Sequence, residues 1–220
     1  LVSYLTTQHA KRYRGEGDAI VIDDARRVDL NDESPIVSAS RLVQDDLCLM
    51  RASKDGWRLV AASLCFPSAW SLAEKFDLPM SAIHAHVPGF PGQMEQRVRR
   101  IFDNLKVGAP VWRLNWSIYP DGGLHYPAAK QNTLLKPRAY DATCFVRVER
   151  QSLMKMPASG DILFTIRVYS DPLLAFGKHP RGRELAAGLR AQLLDLDADQ
   201  LAYKNMAVGR DRLAEALAAL

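Results

Sequence analysis

Along the 220-residue chain the spacing of apolar positions changes several times, and each change marks an element. Ile36, Ala39, Val43 and Leu47 recur at helical spacing behind Ser34-Pro35, a serine N-cap with proline in the first turn. Residues 47–51 and 57–66 are apolar runs on either side of Ala52-Ser53-Lys54-Asp55-Gly56, which predicts two strands joined by a tight Asp-Gly turn. The second run is almost wholly apolar, so it is expected in the centre of a sheet. Residues 70–76 predict a short helix, with Ser71-x-x-Glu74 compatible with a capping box. Met94, Val98, Ile101, Phe102 and Leu105 then share one helical face, and Gly108-Ala109-Pro110 ends that helix.

Alternation replaces helical spacing after Pro110. Trp112, Leu114, Trp116 and Ile118 alternate with Arg113, Asn115 and Ser117, and Asp121-Gly122-Gly123 turns the chain. Val146 and Val148 alternate with Arg147 and Glu149, and residues 162–169 are rich in β-branched side chains. Hairpin spacing with alternation predicts an antiparallel sheet. Beyond Arg181 the pattern is helical again, with Leu185, Leu189, Leu193 and Leu196 on one side and Leu213 and Leu217 in a last helix. At the start, residues 1–14 predict a short helix and residues 15–30 a hairpin around Asp23-Asp24. The expectation is an α+β chain in three parts. Residues 1–40 are an N-terminal helical and hairpin segment, 41–172 the main domain, and 173–220 a helical extension that serves as a cover or as a contact for self-association.

Composition narrows the class. Apolar residues make up 48% and charged residues 25%, the balance of an ordinary globular protein. The net charge of +4 is scattered, and no aromatic-plus-basic motif accompanies it, so nucleic acid is not an expected partner. Cys48, Cys65 and Cys144 stand far apart in apolar runs, which argues against a disulfide framework and for buried, reduced thiols in the cytoplasm. No apolar stretch reaches the roughly 20 residues of a membrane span, and no signal-peptide pattern is present. The chain opens at Leu1 rather than methionine, so a start further upstream is expected.

Four constellations could carry chemistry. His84 and His86 stand two apart before the stiff Val87-Pro88-Gly89-Phe90-Pro91-Gly92. In an extended segment they would point the same way and could share a metal. A single imidazole on a stiff turn beside apolar residues also suits an axial haem ligand, and the plainer reading is a histidine that staples the turn. Arg147, Glu149 and Gln151 share a strand face, where Glu149 could hold a cationic substrate or could simply pair with Arg147 on a solvated face. The strand with Trp112, Arg113, Asn115 and Trp116 could line a pocket or be core. Arg97, Arg99, Arg100 and Arg167 could pair with carboxylates, or be solvated.

Several strings taken together carry a resemblance. They are Leu42-Val43-Gln44-Asp45-Asp46-Leu47-Cys48-Leu49-Met50, the run from Trp57 through Phe66-Pro67-Ser68, Ile83-His84, and Val87-Pro88-Gly89. Val111-Trp112-Arg113-Leu114-Asn115-Trp116-Ser117-Ile118, Val148-Glu149-Arg150-Gln151 and Ile162-Leu163-Phe164-Thr165-Ile166-Arg167 complete the set. In this order and spacing the chain resembles the haem-dependent oxidative N-demethylase alpha-subunit-like family. The resemblance implies a PAS-like antiparallel sheet with a b-type haem in an apolar pocket. It further implies oxidative removal of a methyl group from a small methylated amine such as dimethylamine, using dioxygen. Electrons would come from NADPH through flavin/iron–sulfur reductase subunits. Carried over, His84 is the expected iron ligand and Glu149 the acidic residue facing the amine. Arg113 and Arg167 are expected haem-propionate or structural partners. His86 stands where the family pattern leads one to expect proline. A non-catalytic haem or small-ligand sensor, and a structural domain without cofactor, are the competing readings.

Overall fold

The computed structural model describes residues 1–127 and 140–220. A short helix, α1 (Val2–Gln8), precedes a three-stranded antiparallel meander of β1 (Tyr13–Glu16), β2 (Ala19–Ile22) and β3 (Arg26–Asp29). The turn between β2 and β3 runs through Asp23 and Asp24, both with positive φ. Short acidic side chains tolerate that region better than most. α2 (Pro35–Leu42) follows with Ser34 at its N-cap and proline in its first turn. Leu5, Ile20, Ile22, Val28 and Leu42 close a small core of their own.

The main sheet has five antiparallel strands. β4 (Asp45–Ser53) and β5 (Gly56–Ser63) form the expected hairpin, with Gly56 at φ 98° in its turn. β6 (Val111–Tyr119), β7 (Phe145–Lys155) and β8 (Ile162–Pro172) come later in the chain, and the spatial order is β5-β4-β8-β7-β6. The apolar second run is therefore an edge strand, not a central one. Its apolarity has another cause. The helices α2, α4 (Met80–Ile83) and α5 (Glu95–Asn104) all pack on β5, so it is covered from more than one side although, among the described residues, no strand pairs with its outer edge, which meets only the short segment of residues 77–79.

Register assigns every side chain to a face. On the inner face, β4 and β8 place Asp46, Cys48, Met50, Ile162, Phe164, Ile166 and Val168, while β7 and β6 place Arg147, Glu149, Gln151, Arg113, Asn115 and Ser117. One half of this face is apolar and the other polar. The apolar half packs against Met80 of α4, Phe90, and Phe102 of α5, forming a core with Trp57 and Leu59. α5 buries less than its pattern suggests. Phe102 and Leu105 are buried, but Met94 and Ile101 stay exposed. Between β5 and α4, α3 (Leu72–Lys75) is a single turn whose Ser71 N-cap makes no side-chain bond, so the capping box is not formed.

The outer face is covered only in part. Ile118, Trp116 and Val146 pack under the C-terminal helices α6 (Gly182–Asp195), α7 (Ala198–Tyr203) and α8 (Arg210–Ala218), whereas Trp112 and Leu114 are 68% and 58% exposed. The helices hold together through Ala186, Leu189, Leu193, Leu201, Met206, Leu213 and Leu217. Leu185 is exposed, and Ala186 takes its place in the buried stripe. Of the cysteines, Cys48 and Cys144 are buried but Cys65 is exposed, because the chain leaves the sheet at Ser63. Burial pushes the Cys48 thiol up to about 12, so it is inert.

The contrast between the covered and bare parts of the outer face is measurable. Leu193→Ala, at a fully buried position, should cost about 2–5 kcal/mol in urea unfolding. Trp112→Thr should stay within about 0.5 kcal/mol of wild type.

Candidate functional site

Two irregular segments stand over the inner face, one over its apolar half and one over its polar half. The first carries His84. β5 holds it in place through an isolated Arg58–Pro79 bridge, Leu59 N–H donating to Leu78 at 3.1 Å and Asp77 N–H donating to Leu59 at 2.9 Å. α4 makes one turn, and the Lys75 ammonium donates to the Ile83 carbonyl at 2.9 Å. His84 is the residue that closes this turn, with φ −106° and ψ 12°. The segment is thus helical, not extended, and the two histidines do not project in parallel. The His86 ring instead packs on Tyr203, 6.3 Å between centroids.

His84 is fixed on two sides. Its Nδ1 lies 3.0 Å from the Met80 carbonyl, and its ring stacks on buried Phe90 at 4.5 Å between centroids. A carbonyl can only accept, so Nδ1 carries the proton and Nε2 keeps its lone pair. Burial holds the imidazole below its ordinary value, against the Met80 carbonyl, and the charges of Arg113, Lys75 and His86 add to the lowering. The following turn depends on glycine, as its sequence predicts: Gly89 and Gly92 have φ 70° and 99°.

The second segment runs from Cys65 to Ala69. Asp46, fully buried, accepts from the N–H groups of Cys65 and Phe66 at 2.5 and 2.9 Å. Arg147, 1% exposed, donates from Nη2 to the Phe66 carbonyl at 2.7 Å, from Nε to Ser68 Oγ at 2.8 Å and from Nη1 to the Leu124 carbonyl at 3.2 Å. Its plane also faces the rings of Tyr119 and Tyr126 at 5.4 and 5.8 Å. Ser68, held in this way, donates to Glu149 Oε1 at 2.5 Å. Gln151 and Asn115 donate to Oε2 at 2.9 and 3.4 Å, and Arg147 stands 4.0 Å from Oε1. Glu149 and Arg147 are therefore not a solvated surface pair; the Glu149 side chain is only 12% exposed.

Arg113 and a part of the C-terminal tail complete the surroundings. Arg113 Nε donates to Gln151 at 2.8 Å, so Gln151 links it to Glu149. Lys204, one residue past α7, donates to the Trp116 carbonyl at 2.5 Å and lies 3.4 Å from Asn115 Oδ1. Burial lowers the Lys204 ammonium, with Glu149 opposing and Arg113 reinforcing the shift. The Tyr203 hydroxyl is raised by burial, then by Glu149. Arg167 lies elsewhere. It pairs across the sheet with Arg150 on the opposite face, donates to the Gln44 carbonyl at 3.1 Å and approaches Asp45 at 3.9 Å. Arg113 is thus linked through Gln151 to Glu149 and lies within the field of His84, and Arg167 joins none of them.

A family model described as haem-dependent oxidative N-demethylase, alpha subunit-like, matches residues 1–214. The chain belongs to this family. Membership makes its general function haem-dependent oxidative N-demethylase-like, and an alpha-subunit-like chain implies other subunits. The donor set fits a haem of this family in one respect. A haem iron can be held by one protein imidazole, neutral and oriented through its other nitrogen, and His84 has both properties. A multi-ligand metal centre is a poorer match, since no group of three or more His, Cys, Asp or Glu comes together among the described residues. No helix among those residues is long and apolar enough to cross a membrane.

Ser68, Tyr203 and Lys204 are site residues that periodicity does not reveal. The only local signal for the latter two is the polar break Tyr203-Lys204-Asn205 in an alanine- and leucine-rich tail.

The lowered His84 value has a signed consequence for haem-free protein. The unfolded chain takes up the proton near 6.5 while the folded chain still resists it, so stability falls as pH drops below 6.5. His84→Gln should flatten that part of the urea-unfolding profile and leave the profile above 6.5 nearly parallel to wild type.

Proposed function

We propose that this chain is the haem-binding subunit of an oxidative N-demethylase acting on a small methylated amine of the dimethylamine kind. The observation that supports this most is the placement of two unlike groups over the two halves of one sheet face. A neutral, anchored imidazole borders an apolar core, and a buried carboxylate lies in the polar half beside it. The sheet with its covering helices would be PAS-like, and the haem of the b type. When bound, the haem supplies the oxidation by dioxygen, with electrons from NADPH through flavin and iron–sulfur reductase subunits.

What the chain itself contributes is placement. His84 offers Nε2 to the iron while Met80 and Phe90 hold the ring. Val87 and Ile83, packed against the inner core, border this ligand with apolar surface. Arg113 stands within the electrostatic reach of His84 and suits a haem propionate. Glu149 pairs with the cationic amine. Its carboxylate is aimed by Ser68, Asn115 and Gln151, and a desolvated carboxylate attracts an ammonium far more strongly than one in water. Arg167, on the far face, serves the sheet through Asp45 and Gln44.

Two variants test this. His84→Ala should lose the wild-type Soret spectrum after reconstitution with haem, and an unchanged spectrum would exclude His84 as the ligand. Glu149→Gln should retain haem but lose the spectral change on adding dimethylamine; an unchanged amine response would remove Glu149 from the substrate site. NADPH consumption with dimethylamine and a reductase distinguishes a demethylase from a sensor that binds without turnover.

A further inference from the structure

Among the described residues the inner polar face carries more positive than negative charge. Arg113, Arg147 and Lys204 stand around it, against the carboxylates of Asp46 and Glu149. Arg147 draws on both carboxylates, since Glu149 is 4.0 Å away and Asp46 lies within its field. Glu149 meanwhile accepts from three neutral donors, Ser68, Gln151 and Asn115, and keeps a further acceptor position for the amine. Among the described residues neither Arg113 nor Lys204 has a carboxylate within ion-pair distance. Arg113 uses Nε on Gln151, and its terminal amino groups take no partner among those residues. Lys204 spends two of its three N–H groups on the Trp116 carbonyl and Asn115.

A half-buried ammonium next to a second cation is costly unless an anion joins them, and Glu149 offsets this only in part, acting across Asn115 rather than by direct pairing. Here the ammonium is also tied down. Lys204 lies over the Trp116 ring at 5.1 Å and is held by backbone, so it cannot swing into solvent without breaking those contacts. Tyr203, packed on His86, forms the adjoining wall. We propose that Arg113 and Lys204, flanked by Tyr203, form a carboxylate-binding subsite beside Glu149. The C-terminal tail then completes the ligand site rather than merely covering the sheet. With the amine on Glu149, such a subsite favours a zwitterionic ligand, an N-methylated amino acid, over a simple amine. This substrate class rests on the N-demethylase reading. The carboxylate could instead come from a haem propionate, and the two sources are separable.

The test uses the full chain as wild type, Arg113→Gln, Lys204→Met and Lys204→Arg. Arg113 is exposed, so its variant should fold even where Lys204→Met does not. In one arm N,N-dimethylglycine and dimethylamine are titrated calorimetrically into haem-free protein and by Soret difference into haem-loaded protein. In the other, haem and its dimethyl ester are compared by quenching of tryptophan fluorescence in haem-free protein. A ligand carboxylate predicts that N,N-dimethylglycine binds more tightly than dimethylamine. Arg113→Gln and Lys204→Met should each erase about tenfold to a hundredfold of that preference, and Lys204→Arg should keep most of it. A propionate predicts the same pattern for haem over its ester. Equal binding within both pairs, or a preference that survives both charge-removing variants, overturns the subsite. An intact dimethylamine response alongside that result leaves the N-demethylase reading standing. Conversely, a wild-type chain that takes up no haem sinks that reading, while the haem-free calorimetry still decides the subsite.

Discussion

Arg147 is the residue on which the arrangement depends. A guanidinium that is almost wholly buried must have its donors matched, and here they are spent on two loops at once. It binds Phe66 and Ser68 on one side and Leu124 on the other, and those loops are also joined by Ala69 N–H donating to Tyr126 at 2.7 Å and Tyr126 N–H donating to Pro67 at 3.0 Å. Losing one of these partners would leave a buried donor unmatched, so the loops are held as a unit. Asp46 closes the same unit from the neighbouring part of the sheet. The orientation of Glu149 follows, because Ser68 reaches it only while Arg147 holds Ser68.

The two halves of the inner face serve different physical ends. Toward β4 and β8 the side chains are apolar and pack against α4 and α5, which dries the environment of His84 and keeps its imidazole neutral. Toward β6 and β7 the face is polar and charged, and Arg147, Glu149 and Lys204 there are largely sheltered from water, so those charges act strongly on their neighbours. A neutral imidazole beside a field of fixed charges is an arrangement that a surface histidine does not have. The family to which the chain belongs gives that arrangement a chemical setting, and the C-terminal tail adds an ammonium to it.

Much of this was legible locally. The strand of residues 111–119 alternates so strictly that Arg113 and Asn115 had to share a face, and the same holds for Arg147, Glu149 and Gln151. Glycine at 89 and 92 announced positive φ after the histidines. Other features were not legible, for identifiable reasons. The apolar run in β5 suggested a central strand, but helices shield an edge strand as well as neighbouring strands do. The two histidines suggested an extended pair, but docking of residues 77–79 on β5 winds the segment into one helical turn.

By itself, then, the sequence determined the elements, the turns and which side chains travel together, because these follow from bonds and periods spanning a few residues. It did not determine which faces would be covered. Trp112 and Leu114 alternate as a core face would and remain exposed, while charged Arg147 is buried. Only the tertiary structure decided that Ser68 meets Glu149 across 81 residues and that Lys204 meets Asn115 across 89. Such contacts arise when loops and tail are folded against a sheet whose strand order is not written in any local period.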